Sequence, residues 1–278
     1  MSGTHDGKVA IITGGGRGLG RAMGLGLLGA GARVALVDVD AGVLDEAAAL
    51  AKDQGAGDRV LKIVADVGHD DGAPAIVSQT LKRFGRVDIL INNAGVGIQQ
   101  VRPAGAPVKS PYWEVTPAEF RRMYEINTFS FFLMSIAALP DMRSRNWGRV
   151  VNVTTSLDTM YRMFPYGGTK AANEANTVIL ATELEGSGVT ANVLIPGGAA
   201  NTRMARDMFP GPAAAKLIEP GVMVAPMLWL TSAEADGVNG RRFVANGWDS
   251  KLSNAKNAEA CGAPAAWPGV GRAAQYPD

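Results

Sequence analysis

Cysteine and histidine are nearly missing from this chain: one of the first and two of the second among 278 residues. A lone Cys261 cannot close an internal disulfide, and no cysteine cluster is present to hold a metal. His5 and His69 stand far apart, with His5 close to the start of the chain. A histidine-dependent triad and a zinc site are both unexpected, and no metal is expected at all. Acid–base chemistry would have to fall to other side chains. Charge of one sign is also lacking. The 27 basic and 26 acidic residues leave a net charge of +1, which argues against nucleic acid or a membrane surface as partner. No run reaches the ~18 continuous apolar residues of a membrane-crossing helix. The opening "MSGTHDGKVAIIT" has no cationic segment followed by a long apolar stretch, so no signal peptide is expected either. The expected location is the cytoplasm.

What the chain does have is a rhythm. Short β-branched runs recur at 8–13, 33–39, 59–67, 87–92, 149–153, 189–195 and 241–245. Most are apolar at both alternate positions, as parallel strands covered on both faces require. Segments rich in Ala, Leu and Glu lie between most of them, at 18–29, 41–53, 70–84, 117–143 and 167–185. Strand and helix alternating along one chain predict a doubly wound α/β sheet. No linker or second series is evident, so residues 1–278 are read as one domain with a core at about 8–247. Two parts break the rhythm. Residues 97–116 read as a long loop containing Pro and Gly. Residues 249–278 read as an irregular tail, either disordered or packed through Trp267 and Tyr276 onto the body or a neighbouring subunit.

"TGGGRGLG" (13–20) follows the first strand and opens a helix. Gly14, Gly18 and Gly20 there allow a sharp turn, close approach to a pyrophosphate and tight packing of helix on strand. The helix N-terminus offers free N–H groups and a positive dipole end to phosphates. Alone such a turn is a weak signal; its place between strand and helix strengthens it. Asp38 closes the second strand 18 residues after Gly20. There it suits the ribose hydroxyls of NAD and repels the 2′-phosphate of NADP. Arg17 suits either the pyrophosphate or a 2′-phosphate. Asp66 ends the third strand beside Val67, placed to reach the adenine. "NNAG" (92–95) ends the fourth, where Asn93 can bond exposed backbone and Gly95 permits close approach.

Tyr166 and Lys170, in "YGGTK", are four residues apart on a predicted helix and so share a face. A free tyrosine, with a pKa of about 10, is a poor base at neutral pH. A neighbouring ammonium favours its phenolate. Read without context, such a pair is more often two polar residues than an acid–base couple.

With the other motifs in place, the chain resembles the short-chain dehydrogenase/reductase family of the short, single-domain type. The resemblance runs from residue 8 to about 247. It rests on TGGGRGLG, Asp66, NNAG, Asn127, "NVTTS" (152–156), Tyr166 with Lys170, and "IPGG" (195–198) followed by Thr202. It implies a Rossmann fold with a seven-stranded parallel sheet, and hydride transfer between a nicotinamide and a secondary alcohol or ketone. NAD is the expected cofactor, with NADP the lesser alternative. It implies Tyr166 as general acid/base, Lys170 also on the nicotinamide ribose, Asn127 holding a water, and a hydroxyl on the substrate oxygen. Counting from Asn152 favours Thr155 for that hydroxyl; the usual serine favours Ser156. The path to Tyr166, 11 or 10 positions, is shorter than the family's common thirteen. The implied cofactor contacts are Gly14, Gly16, Arg17, Gly18, Leu19, Gly20, Asp38, Val39, Asp66, Val67, Asn93, Ala94, Gly95, Tyr166, Lys170, Pro196, Gly197 and Thr202. The helices at 117–143 and 167–185 correspond to those that pair in the family's homodimers and homotetramers.

Three variable segments should wall the substrate pocket, at 97–113, 157–165 and 199–220. They bring Met160, Tyr161, Phe164, Met204 and Met208, with Tyr112, Trp113, Met163 and Phe209, which favours an apolar or ring-containing small molecule. Arg102, Arg162, Arg203 and Arg206 in the same loops leave a carboxylate open, and "TTSLDTM" resembles the sugar-acid (gluconate-type) members. The alternatives are therefore a sugar-acid dehydrogenase, an NADPH-dependent carbonyl reductase, and a dinucleotide-binding protein without catalysis.

Overall fold

Strands apolar on both alternate faces need a layer on each side, and the chain supplies two. The computed structural model describes residues 3–103 and 111–268. β1 (Val9–Thr13), β4 (Ile89–Asn92), β5 (Gly148–Val153) and β6 (Val189–Ile195) are buried along their whole length. β2 (Arg33–Asp38) and β3 (Val60–Val64) extend the sheet on one side, β7 (Arg241–Val244) and β8 (Gly262–Pro264) on the other. The strand order is β3-β2-β1-β4-β5-β6-β7-β8. All pairs among the first seven are parallel, and β7·β8 is antiparallel. The order reverses between β1 and β4, which opens a crevice at the carboxyl ends of the strands.

The helices divide between the two faces. α1 (Gly18–Gly29) and α10 (Val224–Leu230) cover one, where Met23 and Leu27 meet Ala10, Ile12 and Leu36, with Met227 and Trp229 beside them. α3 (Gly72–Phe84) and α6 (Ser130–Ser144) cover the other, where Ile76, Met134 and Ala138 meet Ile11, Ala35 and Val37. Local chemistry sets the helix ends. Asp40 caps α2 (Ala41–Asp53) by accepting from the Gly42 and Val43 amides. Gly85, with φ +80°, ends α3 in the left-handed conformation. Thr116 and Glu119 form a reciprocal capping box on α5 (Pro117–Tyr124). α8 (Tyr166–Glu183) runs beside α6, and α4 (Ile98–Val101), α7 (Leu157–Arg162), α9 (Arg203–Met208) and α11 (Asn254–Cys261) are short. Among the described residues no helix is long and apolar enough to cross a membrane.

Three features differ from the sequence reading. The sheet has eight strands rather than seven, and the eighth is not parallel. It comes from the segment read as an irregular tail, which builds α11 and β8 in its described part. An edge strand leaves a row of unpaired backbone groups; here Gly262 and Ala263 pair with Phe243 and Arg242 and cover it. Trp267 is half-buried, while Tyr276 lies outside the described residues. The helix expected over 117–143 is interrupted at Glu125–Phe129 by a turn of π-helix. The loop at 97–116 holds α4 and a 3-10 turn at Tyr112–Glu114, with 104–110 outside the described residues.

Phe243 is fully buried, with its ring edge-on to Trp229 at a centroid distance of 5.3 Å. Phe243→Ala should cost about 3–5 kcal/mol. Urea unfolding should show this as a lower midpoint at an unchanged slope.

Candidate active site

The crevice is assembled from strand ends. Thr13, the last residue of β1, accepts at its hydroxyl from the Asn93 and Ala94 amides, both at 3.0 Å. Asn93 returns its side-chain amide to the Thr13 and Gly14 carbonyls at 2.9 and 3.2 Å. The glycine turn and NNAG are thereby locked together. Gly14 and Gly18 have φ of +63° and +54°, a region that suits glycine. A Cβ on Gly18 would stand 2.9 Å from Thr202 Cγ2, so Thr202 lies against the turn despite its distance in sequence. Arg17, the residue before α1, gives the helix no side-chain cap, and the first turn holds no acidic residue.

Asp38 accepts from the Gly16 amide at 3.2 Å and the Asp40 amide at 3.3 Å. These contacts pin its carboxylate beside the turn. Arg17 is paired with Asp40 at 3.2 Å. Val39 is exposed, Leu19 packs on the core, and Val67 is in the core. Asp66 accepts from the Gly68 amide at 2.8 Å and pairs closely with Arg122 of α5. Burial pushes the Asp66 carboxyl up, but the Gly68 amide and Arg122 outweigh it and hold it below the usual range. Arg122 carries no local sequence signal that would have marked it.

Lys170 is 2% exposed. Its ammonium donates to the Val153 carbonyl at 3.0 Å and lies 5.7 Å from the centre of the Tyr166 ring. A Cβ on Gly95 would lie 3.4 Å from Lys170 Nζ and 3.3 Å from Asn127 Oδ1, so the three residues meet. Burial pushes the Lys170 ammonium down to about 7 and the Tyr166 phenol up to about 12. Each is pushed toward its neutral form, as low-dielectric burial dictates, so the phenol lies above its free value rather than below it as the neighbouring lysine had suggested. Asn127, inside the π turn, accepts from the Val96 amide at 2.7 Å and donates to the Val96 carbonyl at 2.9 Å. Its own carbonyl accepts from Asn173 of α8. A π turn inside an α-helix often marks a functional site.

Three consecutive hydroxyls follow β5, and two are occupied. Thr154 donates to Glu174 at 3.3 Å. Ser156 caps α7, accepting from the Thr159 amide at 3.3 Å. The Thr155 side chain has no protein partner among the described residues. The shortened path from here to Tyr166 is filled by α7.

The pocket residues scatter more widely. Met160 is buried beneath α8, and Tyr161 is 75% exposed. Phe164 meets Tyr112 at a tilt of 31° with centroids 3.9 Å apart and lines a groove of about 1140 Å³ along α5, α6 and α8. Met204 and Met208 lie half-buried on α9, and Gln99 of α4 donates to the Met204 carbonyl at 3.1 Å. Arg102 pairs with Glu119 at 2.8 Å, Arg162 lies 3.6 Å from Asp158, and Arg206 bonds Asn201. Pro196 accepts from the Asn246 amide at 3.0 Å, and Gly197 turns with φ +91°.

Comparison with known proteins places this geometry. The short chain dehydrogenase family model matches residues 8–213. Fluoren-9-ol dehydrogenase of Terrabacter sp. is 28% identical over 87% of this chain and 72% of its own length. The 2-dehydro-3-deoxy-D-gluconate 5-dehydrogenase of Escherichia coli is 27% identical over 87% of this chain and 95% of its own. The crystal structure of levodione reductase superposes with a TM-score of 0.76 at 30% identity, covering 84% of this chain and 94% of that one. The chain belongs to the short-chain dehydrogenase/reductase family of oxidoreductases.

Proposed function

We propose that the protein is an NAD-dependent dehydrogenase that interconverts a neutral, partly apolar secondary alcohol and its ketone, with Tyr166 as general acid/base. The observation that carries this reading is the half-buried Tyr166 one turn from the buried Lys170, whose ammonium lies 5.7 Å from the centre of the phenol ring, with Thr155 as the unspent hydroxyl after β5. Two strongly shifted titratable groups on one helix face are the mark of a candidate functional site. Burial opposes a phenolate alone and an ammonium alone, whereas the two formed together attract each other in a low dielectric. Tyr166 then takes the alcohol proton in oxidation and returns it in reduction. Thr155 donates its hydroxyl hydrogen to the substrate oxygen. Asn127 holds the carbonyl framework beside Lys170.

The residues present fit a nicotinamide dinucleotide. The N-terminus of α1 has no side-chain cap and no acid in its first turn, so its amides suit a pyrophosphate. The same region draws on Gly14, Gly16, Gly18, Leu19 and Gly20. Asp38, with Val39, suits the adenosine ribose, and Asp66 with Val67 the adenine. Asn93, Ala94, Gly95, Pro196, Gly197 and Thr202 line the nicotinamide end. When bound, the nicotinamide supplies the hydride acceptor or donor. Asp38 is held toward the turn by the Gly16 amide, and Arg17 is committed to Asp40. Both favour NAD over NADP. Arg102 is paired with Glu119 and Arg206 with Asn201, which favours a neutral substrate. Arg162 meets Asp158 only in solvent and Arg203 has no protein partner among the described residues, which keeps a sugar acid as the alternative. The name of the fluoren-9-ol relative points to the first and that of the gluconate relative to the second.

The groove along α5, α6 and α8 carries exposed Phe129, Phe132, Ile136 and Ile179. An apolar patch of this kind marks an interface, and a second copy of the chain, as homodimer or homotetramer, suits it.

Three measurements test the reading. Tyr166→Phe should abolish nicotinamide-coupled turnover of cyclic and aromatic secondary alcohols, by at least about 10²-fold, while NAD still binds; substantial surviving turnover sinks the assignment. Asp38→Ser should narrow the ratio of kcat/KM for NAD over NADP by about tenfold or more, a shift of about 1.4 kcal/mol. An unchanged ratio would remove Asp38 from cofactor selection. Light scattering should find Phe132→Glu/Ile179→Glu in a smaller assembly than the parent, since buried charges at an apolar contact are costly.

A further inference from the structure

Glu174 lies one helical turn beyond Lys170 on α8 and is fully buried. Its Oε1 stands 2.9 Å from Arg242 Nε of β7, and its Oε2 accepts from the Thr154 hydroxyl at 3.3 Å. The backbone of Ala266 supplies a further hydrogen bond to the carboxylate. Arg242, whose side chain is 13% exposed, also donates from its Nη2 to the Thr155 carbonyl at 3.2 Å. The tail closes this arrangement: Ala263 pairs with Arg242 across β7·β8, Ala265 is buried, and its amide bonds the Gly240 carbonyl at 2.9 Å.

Burying a carboxylate and a guanidinium is expensive, and two apolar side chains of similar size would pack as well at lower cost. What the charged pair has and an apolar pair lacks is direction. The guanidinium is a rigid planar fork. Its Nε sits against the Glu174 carboxylate as an ion contact not aligned for a hydrogen bond, and that attraction holds the guanidinium where its Nη2 donates to the Thr155 carbonyl. The segment after β5 is thus held at three successive points: the Thr154 hydroxyl by Glu174, the Thr155 carbonyl by Arg242, and the Ser156 hydroxyl by α7.

We propose that Glu174 and Arg242, closed over by residues 262–266, form a positioning clamp that fixes the Thr155 peptide and thereby aims the Thr155 hydroxyl at the substrate oxygen. The inference rests on the reading of Thr155 given above. Neither Glu174 nor Arg242 touches the reacting atoms; both act through Thr155. The tail is accordingly a part of the catalytic wall.

The test is a mutant cycle read by kcat, KM, NAD affinity and thermal unfolding. Arg242→Leu or Glu174→Leu alone leaves a buried charge without its partner and can fail to fold. The informative variant is therefore Glu174→Leu/Arg242→Leu, made in the wild-type and in the Thr155→Ala backgrounds. In the wild-type background it should fold with NAD affinity and KM changed less than about threefold, while kcat falls about 10- to 100-fold, the scale of a small misplacement. In the Thr155→Ala background the same change should cost less than about twofold, because coupled residues are not additive. A wild-type kcat in the double variant overturns the clamp. So does an equal kcat loss in both backgrounds, which would mark the pair as structural. Tyr166→Phe, assayed beside them, reports on the acid–base reading separately. A dead Tyr166→Phe with additive clamp variants overturns the clamp and leaves that reading standing.

Discussion

A lysine that is 98% out of solvent needs somewhere to put its charge, and that need organises the crevice. Lys170 solves it through one short contact to the Val153 carbonyl, at the last residue of β5. The contact requires α8 to lie against β5 with its first turn over the strand end. A line of buried amides holds it there. Asn92 of β4 donates to Asn152 of β5 at 2.9 Å, and Asn152 donates to Thr177 of α8 at 2.8 Å. Thr177 donates to the Asn173 carbonyl, and Asn173 donates to the carbonyl of Asn127. Two strands, a helix and the π turn are joined in one polar chain. Buried networks of this kind fix a single arrangement, because breaking any link strands a polar group away from water.

That chain also explains the π turn. An uninterrupted helix over 117–143 would give each residue of the stretch its own i−4 partner. The extra residue in the turn at Glu125–Phe129 leaves the Asn127 carbonyl to Asn173 and points its side chain at the Val96 backbone. The irregularity falls where α5 and α6 pass Tyr166 and Lys170, and it is confined there. The electrostatics follow from the same burial. Tyr166 and Lys170 are both pushed toward their neutral forms. Burial alone thus favours the protonated phenol and opposes the ammonium.

The sequence was most legible where chemistry is local. The glycine turn, Asp38 at the end of the second strand, NNAG and the four-residue spacing of Tyr166 and Lys170 each concern groups within a few residues of one another. Seven of the strands and the long helices were legible because their apolar periodicity is repeated over whole elements. Other features had no local mark. Arg122 reaches Asp66 from another helix, and Arg242 reaches Glu174 and Thr155 from another strand. Such pairs are created by the fold, and neither partner has a spacing that names the other. β8 was illegible for a related reason. "GAP" has no strand pattern, and its pairing is dictated by the exposed edge of β7. The choice between Thr155 and Ser156 could not be made from counting alone. The proposed assignment to Thr155 draws on α7, whose first turn takes the Ser156 hydroxyl as its cap.

The tail shows how a family fold can be made particular without altering its motifs. Glycine turn, strand ends and helix pair all lie before residue 203, inside the stretch matched by the family model. The guanidinium that grips the Thr155 carbonyl and the backbone that helps seal Glu174 come from beyond it, at Arg242 and Ala266. Covering the edge strand and burying the ion pair are one event, since β8 does both. Loss of the tail would therefore expose more than a strand edge. Water reaching Glu174 and Arg242 would raise the local dielectric and weaken their attraction. It would also free the guanidinium from the single direction that makes it useful. In the proposed clamp the completeness of the sheet is coupled to the aim of a hydroxyl, through two charges that neither the core nor the glycine turn requires.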